Sequence, residues 1–346
     1  MKYSVNCKTE IIATTGPSLH TVEQLCYAMS LGIRNFRLAL SSRERDVCQY
    51  IRNIRIAEKR SGSKAEVLLD FPADRPRTAE MEPTLLKENC IYVFCDTDKK
   101  RGDEIAVNGF ESVINLLKEN DRIFFRDGKI QLRVKDINLA ERKVSALCYN
   151  STTDLRTNCS CVFPDTDIIY QPIVDLDIQA LERLRKSGLS PDWFALSFAS
   201  DKASVKMMRD LAEKFWLSKR IKVMAKIETK KGIDHIKEIL QESDGIMVAR
   251  GDLLLHIPPV KLPRVQEYLV EMAKKYRKVS VVATEFLEIF ATTGIVNRAE
   301  LSDIALGARQ KATALMLSME SANSHYSKEC LELMAGVIDE LYERKE

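Results

Sequence analysis

Residues 222–253 read KVMAKIETKKGIDHIKEILQESDGIMVARGDL, and the way they divide decides the fold. The run 221–228 is short and apolar, 231–241 has the length and amphipathic character of a helix, and 244–250 is again a short apolar run. A strand, a helix and a second strand in that order make one unit of a parallel sheet. The second run stops on Arg250, Gly251 and Asp252: one cation, one flexible joint and one carboxylate. A buried strand needs none of these, so chemistry is expected at its end.

Outward from this unit the alternation continues in both directions. Strands are expected at 10–15, 34–40, 65–70, 192–198, 221–228, 244–250, 279–285 and 312–318. Helices are expected at 21–31, 43–60, 176–187, 201–217, 231–241, 261–276, 298–310 and 325–345. Eight such units are what a closed (β/α)8 TIM barrel requires. An open doubly wound sheet is the competing arrangement, but no nucleotide-type glycine fingerprint supports it.

The alternation breaks between residues 71 and 172, where segments such as IYVFCDT, DRIFFRDGKIQLRVKDI and KVSALCYN are punctuated by Asp-Gly and Asn-rich turns. The expected organisation is a barrel from 1–77 and 170–346, with a β-rich lid domain, 78–169, inserted after the third strand.

Composition narrows the function classes. With 53 basic and 50 acidic residues, the net charge of +3 gives no reason to expect nucleic acid or an anionic membrane as partner. No stretch approaches the roughly 18 apolar residues of a membrane span, and the opening lacks a signal-peptide core. The nine cysteines are scattered through apolar segments, as reduced thiols are, so a cytoplasmic location is expected. Cys159 and Cys161 sit close, but neither His nor Cys stands nearby to complete a zinc site.

In a parallel barrel the chemistry sits at the carboxyl ends of the strands. The residues falling there are Thr14, Arg37, Asp70, Lys226 with Glu228, Arg250 to Asp252, Thr284, and Ser318 with Glu320. Lys226 and Glu228 are two apart and face the same side of their strand. Asp252 arrives one strand later, which supplies two hard oxygen ligands for magnesium, with substrate oxygens and water completing the shell. Gly251 would let the backbone turn and present its amide to an anion. Taken singly, Lys226 and Glu228 could be an ion pair and Asp252 a helix cap; their placement on successive strands favours a site.

With these residues in view, the sequence resembles the pyruvate kinase family. The segment KVMAKIETKKGIDHIKEILQESDGIMVARGDLLLHIP is similar to that family's lysine-and-glutamate strand and the motif after it. EIIATTGPS, VVATEFLE and NRAELSDIALGARQKATALMLSMESA resemble further family segments. The likeness spans the barrel and, weakly, the insert; the family's carboxyl-terminal regulatory domain has no counterpart in it.

The resemblance implies the glycolytic reaction in which phosphoenolpyruvate donates its phosphoryl group to ADP and the remaining enolpyruvate is protonated. By matching positions, Glu228 and Asp252 would hold Mg2+ (or Mn2+), and Lys226 would stabilise the transferring phosphoryl group. Gly251, Asp252 and Thr284 would seat the substrate carboxylate, while Arg37 and Arg77 would contact phosphates. Thr284, Ser318 and Glu320 would lie along the proton-delivery route. Lys129 and Lys135 are candidates for the lid lysine. A homo-oligomer is expected, since IFATTGIVNRAELSD resembles the family's subunit-contact region.

Several positions depart from the family pattern. Ala39 replaces an asparagine, Ser42 a histidine, and Phe71-Pro72-Ala73-Asp74-Arg75 a Thr-Lys-Gly-Pro-Glu run. Leu254, His256, Glu285, Phe286 and Met319 are also changed. The potassium site keeps only Ser41 and Asp70 as side-chain ligands, which makes K+ dependence doubtful. The nucleotide side is eroded while the three-carbon side is intact. Two alternatives therefore stand beside the kinase: magnesium-dependent enolisation or carbon-carbon chemistry on pyruvate, phosphoenolpyruvate or a related 2-oxo acid without ADP, and a non-catalytic homologue.

Overall fold

The structure is a computed structural model that describes residues 1, 8–40 and 46–343. Eight parallel strands close into a barrel: β1 (Glu10–Thr14), β2 (Asn35–Ala39), β3 (Glu66–Phe71), β4 (Trp193–Leu196), β5 (Lys222–Ile227), β6 (Gly245–Ala249), β7 (Val279–Ala283) and β8 (Ala314–Leu317). Each strand pairs with its neighbours in chain order, and β8 closes on β1 with Ile12 opposite Met316. The eight expected strands are all present; seven are trimmed by a residue or more, and β3 keeps its expected length shifted one residue toward the carboxyl end.

Alternation along the strands sorts side chains between two layers. Ile12, Leu68, Trp193, Met224, Met247, Val281 and Met316 belong to one buried cluster. On β5, Met224 belongs to that cluster, so Lys226 and Glu228, two and four residues further, continue the same face toward the carboxyl end. Val223, Ala225 and Ile227 take the opposite side and are buried.

Helix starts are written locally. Thr21 and Gln24 form a capping box before Val22–Ser30, Asp46 caps Val47–Ser61, Asp201 caps Lys202–Phe215, and Asn297 caps Arg298–Arg309. The expected helix 231–241 is instead two pieces, Lys230–Asp234 and Ile236–Glu242, broken at His235. Residues 43–45 and 344–345 of the expected helices lie outside the described residues.

The chain divides into two compact units. One comprises Met1–Ala73, Pro172–Leu253 and Val260–Glu346; the other comprises Asp74–Gln171 and Leu254–Pro259. Two differences from the expected division follow. The inserted unit runs Asp74–Gln171, wider at both ends than the expected 78–169 and including Arg77, and it also takes in the short segment after the Arg-Gly-Asp motif.

The inserted unit is a seven-stranded sheet running, edge to edge, Cys161–Val162, Arg122–Phe125, Ile130–Asn138, Lys143–Ser151, Ile91–Asp96, Ile105–Asn108 and Arg77–Thr78. The hairpin after Phe125 turns through Arg126, Asp127 and Gly128, all at positive φ, as its Asp-Gly signal requires. Its own core includes Phe94, Val107, Phe110, Phe125, Leu132 and Phe163.

Candidate active site

At the carboxyl ends of β3, β4 and β5 four polar side chains are buried together: Asp70, Ser197, Lys226 and Glu228. Lys226 Nζ donates to Ser197 Oγ at 2.7 Å and to Asp70 Oδ1 at 3.2 Å, and stands 3.3 Å from Glu228 Oε1. Arg37, from β2, donates through Nε to Asp70 Oδ2 at 2.7 Å and through a terminal nitrogen to Thr14 Oγ1 at 3.2 Å. Thr14 in turn donates to the Leu317 carbonyl at 2.8 Å. Ser197 Oγ donates its own hydrogen bond to the Phe71 carbonyl at 2.6 Å, which leaves its lone pairs to accept from Lys226.

Charge balance fixes the protonation states. Burial alone would raise the Asp70 carboxyl, but the Lys226 and Arg37 cations outweigh it and hold Asp70 below its ordinary range. Burial would likewise lower Lys226, yet Asp70 and Glu228 reverse the sign and keep it charged above the usual lysine range. The result is a desolvated ammonium with fixed neighbours, beside an arginine that is only partly buried.

Glu228 also accepts the Phe198 amide at 2.6 Å. Phe198 sits at φ 52, an unfavourable conformation for a non-glycine residue, at the end of β4. Because β5 and β6 are neighbours in register, Glu228 and Asp252 come from adjacent strand ends. Two hard carboxylates so placed suit Mg2+ or Mn2+, which take one or two carboxylates and leave the remaining positions to substrate and water. Among the described residues, no group of three or more His, Cys, Asp or Glu side chains could hold a metal. A cation there would depend on oxygens from substrate or water.

Gly251 is the second residue of a short helix, Arg250–His256. Its amide was expected to face an anion, but it donates to Thr284 Oγ1 at 2.9 Å. Thr284 is a β-branched residue at φ 78, followed by Glu285 at φ 55, so the chain leaves β7 in a strained left-handed turn. Glu320 brackets that turn from β8: its Oε1 accepts the amides of Phe286 at 3.2 Å and Leu287 at 3.5 Å, and its Oε2 accepts the Ser318 amide at 2.7 Å. A carboxylate expected along a proton route is thus committed to three backbone donors.

The structure brings Arg37, Asp70, Lys226 and Glu228 into one bonded cluster, and Gly251, Thr284, Ser318 and Glu320 into connected pairs around the end of β7. Ser41 lies outside the described residues. Asp70, the other residual potassium ligand, has each oxygen paired with a cation of the protein. Arg77 donates to the Asn158 carbonyl at 3.1 Å at the edge of the inserted sheet. Lys129 lies in the hairpin turn of that sheet, and Lys135 is exposed on its strand Ile130–Asn138.

Two features escaped the sequence: the part taken by Ser197 and the partners of Arg250. Ser197 is the next-to-last residue of the expected strand 192–198, and its position was the only signal it gave. Arg250 is buried, donates to both carboxylate oxygens of Asp303 at 2.8 and 2.6 Å, and stacks on Phe286 with 4.2 Å between the guanidinium carbon and the ring centroid.

A (β/α)8 barrel carrying a buried lysine between carboxylates at its strand ends, and interrupted after β3 by a β-rich insert, defines the class to which the molecule belongs. The particular family is shown by comparison: the pyruvate kinase barrel domain matches residues 6–331, and the chain belongs to the pyruvate kinase family. A pyruvate kinase from Staphylococcus saprophyticus is 32% identical over 334 residues, covering 95% of this chain and 56% of that protein. One from Staphylococcus aureus is 30% identical over the same length. The crystal structure of a pyruvate kinase from Cryptosporidium parvum superposes with a TM-score of 0.85 at 28% identity, covering 96% of this chain and 69% of that one. The chain therefore spans a little over half the length of the curated relatives it matches. No helix among the described residues is long and apolar enough to cross a membrane.

Proposed function

We propose that this protein is a magnesium-dependent phosphotransferase that moves a phosphoryl group between phosphoenolpyruvate and ADP, giving pyruvate and ATP. The observation that carries the reading is Lys226: a charged ammonium, buried and fixed by Asp70, Ser197 and Glu228 at the end of β5. Phosphoryl transfer is chiefly positioning and charge neutralisation, and a preorganised cation in a desolvated site is what it requires.

In this reading Glu228 and Asp252 hold the magnesium ion, which supplies Lewis acidity toward phosphoryl and enolate oxygens. Lys226 stabilises the negative charge of the group in flight. Arg37, tied through Nε to Asp70 and through one terminal nitrogen to Thr14, turns its other terminal nitrogen toward substrate phosphate. Thr284 orients the three-carbon unit together with the backbone at Gly251 and Asp252, the Gly251 amide exchanging its hydroxyl partner for the substrate carboxylate. Thr284 and Ser318 relay the proton that converts enolpyruvate to pyruvate, and Glu320 keeps the Ser318 backbone and the β7 turn in place. The protein acts in the cytoplasm as a homo-oligomer.

Two features favour a second reading in which pyruvate or a related 2-oxo acid is enolised without ADP: Ala39 and Phe71 stand where the family carries asparagine and threonine, and both oxygens of Asp70 are already neutralised. One experiment separates the two. Purified protein is incubated with Mg2+, phosphoenolpyruvate and ADP, with and without K+, while phosphorus resonances and pyruvate are followed. The kinase reading expects ATP and pyruvate in equal amounts, unaffected by K+ and abolished in Lys226→Met. Magnesium-dependent binding of phosphoenolpyruvate without turnover, together with exchange of pyruvate methyl protons faster than free Mg2+ achieves, would transfer the assignment to enolate chemistry.

A further inference from the structure

We infer that Asp303, on the helix Arg298–Arg309, is a positioning residue for the reaction, acting through Arg250 to hold Thr284 in its strained conformation. The inference rests on the functional reading above, in which Thr284 orients the three-carbon unit.

A β-branched residue at φ 78 persists only where its surroundings over-determine it. Arg250 does this from the β6 side: Nε donates to the Ala283 carbonyl at 3.2 Å and a terminal nitrogen to the Thr284 carbonyl at 2.5 Å. These two carbonyls belong to the peptides on either side of Thr284, where β7 gives way to the left-handed turn. Arg250 also opens the helix whose next residue, Gly251, holds the Thr284 hydroxyl from its amide. One short segment therefore grips Thr284 by carbonyl and by side chain.

The guanidinium is itself fixed. Asp303 receives its other terminal nitrogen with both carboxylate oxygens, Gln266 Oε1 stands 3.5 Å from that nitrogen, and Phe286 covers one face. Phe286 is the residue whose amide Glu320 holds, so the same turn is bracketed from both sides. Asp303 is the anion that pairs with the Arg250 charge, and it reaches Thr284 only through that arginine. Arginine's planar fork matters here because a carboxylate and two carbonyls are served in fixed directions at once, which a lysine could not do.

The test is a double-mutant cycle between Asp303→Asn and Thr284→Ala in the phosphoenolpyruvate and ADP assay. Asp303→Asn is expected to lower kcat by about tenfold or more, the scale of loss from misplacing a reacting group. In the Thr284→Ala background the same substitution should cost less than about twofold, because the group it positions is gone. Asp303→Glu, which keeps the anion, should recover part of the loss. Equal factors in both backgrounds would make Asp303 a purely structural residue and overturn the inference. Should Asp303→Asn fail to fold, Arg250→Lys is carried through the same cycle. A wild type without turnover refutes the functional reading alone. The crystal structure of Asp303→Asn then still decides: Thr284 leaving positive φ or releasing the Gly251 amide supports the relay, and an unchanged Thr284 refutes it.

Discussion

Lys226 and Asp70 hold each other's charge, and each exposes a different end of the pH scale. The Asp70 contribution is fully present above its ordinary pKa and is lost as pH falls through its depressed value. The Lys226 contribution is fully present below its ordinary pKa and is lost as pH rises through its raised value. Stability should therefore be flat between about pH 5 and pH 10 with respect to this pair, and fall on either side. Lys226→Met leaves Asp70 to Arg37 and Glu228 to backbone, and is expected to cost about 3 kcal/mol at pH 7, the low end for breaking a buried pair. Urea midpoints of the two proteins across pH check both statements. A variant as stable as wild type at pH 7, or one with the same alkaline fall, would remove the pair from the stability account. Lys226 and Glu228 were legible in the sequence because strand alternation puts residues two apart on one face. Ser197 and Asp303 were not, and neither was the partner of Arg250: Ser197 meets Lys226, and Asp303 meets Arg250, only through barrel register and helix orientation. No local pattern encodes either.

Elements separate into those whose length carries a signal and those too short to have one. The eight barrel strands are buried apolar runs bounded by polar residues, and all were readable. The helices Arg250–His256, Glu288–Thr293 and Met319–Ala322 each span about two turns or less, too few residues to show a period, and only the first was considered, as a helical turn after Gly251. Two of these short helices depend on buried carboxylates for backbone donors the short chain cannot satisfy. Glu300 accepts the Ile289 and Phe290 amides at 2.6 and 3.2 Å, and Glu320 serves Phe286, Leu287 and Ser318. Replacing Glu320 by alanine leaves three amides without that acceptor and is expected to cost about 2–4 kcal/mol, a few charge-assisted bonds at net value. Glu320→Gln keeps one carbonyl acceptor and should lose less. Thermal unfolding of both variants gives the order, and an alanine variant no less stable than the glutamine one would mean the amides find other partners.

At the scale of the whole molecule, the barrel and the insert each close a core of their own, so unfolding need not be a single cooperative step. A titrating group confined to the insert offers a way to see this. Asp96 ends the strand Ile91–Asp96, and its carboxyl is pushed up to about 6 by burial, and by the side chain and charge of Glu111, against the Glu111 amide and Arg142. Its folded pKa stands above the ordinary aspartate value, so the native state binds the extra proton between about pH 4 and pH 6. Stability of the insert therefore declines as pH rises through that window, and the penalty is complete at pH 7. Asp96→Asn is neutral throughout and its Oδ1 can still accept the Glu111 amide, which Asp96 takes at 3.2 Å. It should raise the insert's transition temperature at pH 7, do little at pH 4, and leave the barrel's transition in place at both. Differential scanning calorimetry at the two pH values reads all three. If the substitution moves a single shared transition instead, the units unfold together despite their separate cores; if it stabilises equally at both pH values, the Asp96 proton is not the cause.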